Sequence, residues 1–136
     1  MRNMLVCLAL LSVTILTYAD SASTEDAEAA AIAWLALVDS VEYEKSWLEA
    51  SPLLRHHVGR DAWASQLNNL RTPLGKLESR KLGSAEYQES LPGVPDGQYV
   101  LFVFDSSFEG AGVEAEIVVV AMGEDSVWRV IGYYFG

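Results

Sequence analysis

Four residues in this chain have the types and positions that could perform acid–base or anion chemistry. Glu116 sits where an alternating segment, "VEAEIVVVAM", becomes wholly apolar, so its side chain points either into the helix–sheet gap or to the exposed rim. An inward carboxyl needs a partner or a raised pKa, and both are marks of a working acid. Arg80 is the best candidate to anchor such an acid, or to hold a ligand carboxylate. Asp105 ends a neighbouring apolar run, and Tyr99 begins it. An enzyme reading would pair Glu116 or Asp105 with Arg80 or Tyr99 in a cavity.

Other familiar chemistries find no footing. His56 and His57 are adjacent, and neighbours on a helix point about 100° apart, which does not suit one metal ion. No HExxH spacing is present, so no metal site is expected. Serines are plentiful, but none stands in a GxSxG or SxxK context. The only cysteine, Cys7, lies in the N-terminal apolar run, which leaves no thiol chemistry or disulfide for the rest of the chain. "RTPLGKLESRKL", residues 71–82, gathers Arg71, Lys76, Arg80 and Lys81. It has too few glycines for a phosphate loop and is followed by extended chain. Arg80 and Lys81 point to opposite faces of a strand, so the four cations form no patch by default. No catalytic set and no cofactor is expected.

Charge narrows the partners. The chain has nineteen Asp and Glu against nine Lys and Arg, a formal net charge of −10. Without Arg2 the balance is eight against nineteen, or −11. Nucleic acid is not an expected partner, because phosphate contacts need clustered cations.

The elements that must position these residues follow from patterning. Met1 to Ala19 combines a short basic start, an apolar run from Leu5 to Leu16 and small residues at Thr17 and Ala19, three back and one back from a possible cut before Asp20. This is the pattern of a secretory signal peptide, and the apolar run is shorter than the ~20 residues of a membrane span. The expectation is an exported protein, periplasmic or secreted, with no stable membrane anchor after cleavage. Residues 20–136 then form one domain.

A helix is predicted from Ser23 or Thr24 to Asp39-Ser40, with Ser23 and Asp26 approximating a capping box. Ala27, Ala31, Trp34, Leu35 and Val38 fall on its inner face. A short helix carries Tyr43 and Trp47, and Ser51-Pro52 starts another. The next helix, from about Asp61, shows Trp63, Leu67, Leu70 and Leu74 as one stripe, with Arg71 complementing the helix dipole. Gly75 is the expected positive-φ stop.

After Gly75 the period changes. Residues 76–87 read as polar extended chain with a bulge or bend between Leu77 and Leu82. "SLPGVPDGQ" is a turn, "YVLFVFDSSF" a central strand, and "GEDS" a hairpin loop before "VWRVIGYYF". Strict alternation puts Trp128, Val130 and Tyr134 on one face of that last strand. Helices followed by closely connected strands imply an α+β fold: N-terminal helices packed on a curved four-stranded antiparallel sheet, enclosing a cone.

Several spaced motifs carry a resemblance: "AWLALVDSVEYEKSW", "LRTPLGKLESRKL", "SLPGVPDGQYV" and "WRVIGYY". Together they resemble a family of small exported bacterial proteins, domain of unknown function 4019. The resemblance implies an exported α+β domain, similar in outline to cystatin-like or nuclear-transport-factor-2-like cones. It implies no activity, substrate or catalytic residue.

The functional expectation is a non-catalytic binding or accessory module for a small amphipathic ligand or a protein partner. A cone-fold enzyme and a structural protein acting through dimerisation are the alternatives. The residues expected to line a pocket are Arg80, Tyr99, Glu116, Trp47, Trp128 and Tyr133, although large aromatics also serve simply to fill a helix–sheet gap.

Overall fold

A computed structural model describes the backbone of residues 16–136 and the side chains from Ser23 onward. Most of the expected signal segment, residues 1–15, lies outside the described residues. The element order is α1(Leu16–Asp39), α2(Tyr43–Leu48), α3(Pro52–His57), α4(Arg60–Arg71), a 3-10 turn at Thr72–Leu74, then β1(Leu77–Gln88), β2(Tyr99–Phe108), β3(Gly112–Met122) and β4(Trp128–Phe135). The fold is α+β. The strands form one antiparallel sheet in the order β1-β2-β3-β4. Among the described residues no helix is long and apolar enough to cross a membrane.

Helix α1 starts at Leu16, not at Ser23 or Thr24. No proline or glycine interrupts residues 16–39, so the cap-forming residues at 23–26 are carried inside a continuing helix. Its end at Asp39 is as expected. Ser51 caps α3 by accepting from the Leu53 amide at 3.2 Å, with Pro52 at the first helical position.

The stripe of α4 differs from its reading. Trp63, Leu67 and Arg71 are buried, whereas Leu70 is exposed. Residues 63, 67 and 71 repeat at i+4, and packing against α2, with Arg71 reaching Tyr133 and Phe108 of the sheet, selected that row over the one through Leu70. Arg71 is thus a core residue, 6% exposed, and not a solvated partner of the helix dipole.

Inward faces of the strands follow the period of two. Val100, Phe102, Phe104, Ser106 and Phe108 of β2 are buried, as are Glu116, Val118 and Val120 of β3. Trp34, Leu35 and Val38 of α1 pack on this face with Trp128, Val130 and Tyr133. The gap between helices and sheet is therefore occupied by side chains. Each large apolar group removed from water there stabilises the fold by about 1.5–3 kcal/mol.

Two irregularities set the rest. β1 shifts register between Leu77 and Ser79, where a bend was expected, and again between Leu82 and Ser84. In β4 the partners of Val119 and Val120 are Gly132 and Val130, so Ile131 is an extra residue. This bulge reverses the alternation. Trp128, Val130 and Tyr133 face inward, and Tyr134 is 46% exposed, opposite to the strict reading of that strand.

Candidate functional site: a closed ionic cluster and the clefts around it

At the end of α1, against the inner face of the sheet, six polar side chains meet: Asp39, Arg71, Arg80, Ser106, Glu116 and Tyr133. The strand register brings four of them together. Arg80 pairs directly with Ser106 across β1 and β2, and Glu116 lies opposite Phe104, one diagonal step from Ser106. Tyr133 lies opposite Val118, one diagonal step from Glu116. α1 contributes Asp39 with its last residue, and α4 contributes Arg71 with its own last residue.

Glu116 has no exposed surface. Its Oε1 accepts from Arg80 Nε at 2.6 Å and from Ser106 Oγ at 2.8 Å. Its Oε2 accepts from the Tyr133 hydroxyl at 2.5 Å. The Arg80 guanidinium turns its other two nitrogens to Asp39, at 2.8 and 2.9 Å, in a bidentate pair. Arg71 donates to Asp39 Oδ1 at 3.1 Å and to the Tyr133 oxygen at 3.3 Å, and stands 3.9 Å from Glu116 Oε2. Its guanidinium carbon lies 4.9 Å from the centre of the Phe108 ring. Two cations face two carboxylates, so the cluster is neutral within itself.

Electrostatics follow from that geometry. Burial alone would lower the Arg80 pKa, but the hydrogen bonds it donates to Asp39 and Glu116 outweigh this and raise the value. Burial pushes the Tyr133 hydroxyl far above the ordinary tyrosine value, reinforced by the Glu116 charge. Tyr133 is therefore a neutral donor throughout the physiological range, and Arg80 a permanent cation. With its three donors in place, Glu116 meets the requirement for a buried charge through structural partners.

The six residues expected to line one pocket divide into separate places. Arg80, Glu116 and Tyr133 are joined in the cluster. Tyr99 lies at the far end of β2, where its hydroxyl donates to the Pro95 carbonyl oxygen. Trp47 donates its indole N–H to the Val58 carbonyl at 2.8 Å and fastens α2 to the end of α3. Trp128 is 7% exposed beneath the N-terminal half of α1, and among the described residues its Nε1 has no hydrogen-bond partner. Asp105, the alternative acid, is exposed.

Asp39, Arg71 and Ser106 complete the cluster and were not among the expected residues. Ser106 was open to detection, since it shares parity with Phe102, Phe104 and Phe108. The remaining aromatics act as core. Trp34 Nε1 donates to the Ser46 carbonyl at 2.8 Å, Trp63 Nε1 donates to Ser46 Oγ at 3.0 Å, and Ser46 Oγ donates to the Tyr43 carbonyl at 2.6 Å. The rings of Trp34 and Tyr133 meet edge to face at 5.2 Å.

Two clefts open on the surface near these residues. One, of about 300 Å³, lies between the end of α1 and the start of β1, and reaches Asp39 and Arg71. The other, of about 620 Å³, lies between the start of α3, the segment before Tyr99 and the β3–β4 turn. Among the described residues no group of three or more His, Cys, Asp or Glu side chains is placed to hold a metal ion.

No curated protein matches this chain. Residues 30–133 match the family described as protein of unknown function (DUF4019), a span that contains every member of the cluster. The chain belongs to that family.

Proposed function

We propose that this protein is an exported, non-catalytic binding or accessory module. One observation carries the non-catalytic half: Glu116, the acid best placed for catalysis, is fully enclosed, with both oxygens held by Arg80, Ser106 and Tyr133. A general acid or base must reach its substrate within hydrogen-bond distance. Here the substrate would have to break the ionic cluster to arrive. Asp105 is exposed and stands outside the cluster.

The cluster instead fixes α1, α4 and all four strands relative to one another, and surface clefts remain for recognition. The N-terminal pattern of residues 1–19 supports export. A periplasmic or extracellular module of this kind takes a small amphipathic molecule or a protein partner.

The test is to recover the protein from its exported fraction and examine it by native mass spectrometry, alongside thermal shift across a broad ligand panel. A bound molecule or partner is expected. A bare monomer, with no shift from any compound, would overturn the binding reading. Hydrolytic or transferase turnover abolished by Glu116→Gln, in a variant that stays folded, would overturn the non-catalytic one.

A further inference from the structure

The cleft of about 620 Å³ falls within the ~300–1,000 Å³ typical of small-molecule sites. It is lined on one side by Pro52 and Leu53, and on the others by Pro95, Ala121 and Met122, which give it apolar walls. Five charged residues also line it: Arg55, Asp96, Glu124, Asp125 and Arg129.

Their partners decide what the cleft can bind. Arg129 and Asp125 satisfy each other in a two-pronged pair, at 3.0 and 2.8 Å. The other three have no ion pair among the described residues. Arg55 is held by the Trp47 ring, 5.9 Å from its guanidinium carbon, and among the described residues its buried Nε has no hydrogen-bond partner. In a chain of net charge −10, Arg55 has no carboxylate partner among the described residues, although Asp96 and Glu124, which have no cationic partner there, line the same cleft.

A simple anion would meet one available cation and two carboxylates, and would be repelled. A simple cation would leave Arg55 as it is. A molecule with one charge of each sign at the ends of an apolar body matches all three groups and the walls between them.

We infer that this cleft binds a small zwitterion of the short-peptide class, with its carboxylate on Arg55 and its ammonium on Asp96 or Glu124. The inference rests on the binding-module reading and names the ligand chemistry for it.

Calorimetric titration of the full-length protein with leucyl-leucine tests it, beside N-acetyl-leucyl-leucine and leucyl-leucinamide. Leucyl-leucine is expected to bind saturably, and blocking either end to weaken binding about tenfold or more. Arg55→Gln should weaken leucyl-leucine but not the amide, which has no carboxylate to lose. Asp96→Asn, on the loop before β2, gives a second variant and should weaken leucyl-leucine more than its acetylated form. Equal binding of the acetylated and free dipeptides would overturn the inference, as would silence of all three. If the dipeptides are silent while native mass spectrometry of the exported protein shows another bound molecule, this inference falls and the binding module stands.

Discussion

The Tyr133 hydroxyl donates to Glu116 Oε2 at 2.5 Å while its oxygen accepts from Arg71 Nη1 at 3.3 Å. One phenol thus bridges a buried acid and a buried cation that are 3.9 Å apart. Tyr133→Phe keeps the ring packing on Trp34 and Phe135 but leaves Glu116 Oε2 without its donor. The expected cost is about 1–3 kcal/mol, read from urea unfolding midpoints at unchanged slope. A variant as stable as the parent would show that the bridge contributes nothing net.

The same tyrosine sets a pH dependence. Its pKa in the folded protein lies well above the ordinary value of about 10. Above that pH the unfolded chain releases a proton that the folded chain retains, so stability must fall as pH rises. Stability is expected to be flat with respect to this group below about pH 10 and to decline above it. Tyr133→Phe should show a shallower decline, measured by thermal melts between neutral and strongly alkaline pH.

Arg80 joins both carboxylates of the cluster, at 2.6 Å to Glu116 and 2.8 Å to Asp39. Arg80→Met leaves a wholly buried acid with less compensation, a loss typically of about 3–5 kcal/mol. Replacing both residues, as Arg80→Met with Glu116→Met, removes that uncompensated charge. The double variant is expected to be more stable than Arg80→Met alone, in chemical unfolding.

Gly75 has φ +73° and ψ −159°, a region open essentially to glycine alone. A Cβ there would also stand 3.3 Å from the Gly110 amide nitrogen. Gly75→Ala should cost about 1 kcal/mol or more. A melting temperature equal to the parent's would contradict this.

Val41 is a β-branched residue at φ +62°, 65% exposed, in the turn between α1 and α2. A left-handed conformation costs an L-residue about 1–2 kcal/mol. Val41→Gly relieves it and removes little packing, so a higher melting temperature is expected. A fall would mean that the valine side chain makes contacts worth more than the strain.

Much of this architecture was legible along the chain. Helical spacing identified the inner face of α1 through Trp34 and Val38, Ser51-Pro52 marked the start of α3, and the change of period after Gly75 announced the sheet. Parity left Glu116 between the gap and the rim, and Arg80 was singled out as the anchor for an inward acid. These are local signals, because side-chain direction within one element depends only on its own backbone period.

What tertiary packing decided lies where several elements compete. The buried row of α4 runs through Arg71 and not Leu70, because the alternative rows differ little until a partner surface selects one. The bulge at Ile131 turned Tyr133 inward; Gly132 beside it is a local signal for a bulge, but which residue is left over is set by register against β3. Asp39, at the last position of a helix, acquired its role only when two arginines from distant segments converged on it. Composition and periodicity determined an acidic α+β domain. Only long-range register and helix docking decided that Glu116 would turn inward and be enclosed by its own partners, because those partners come from elements far apart in sequence.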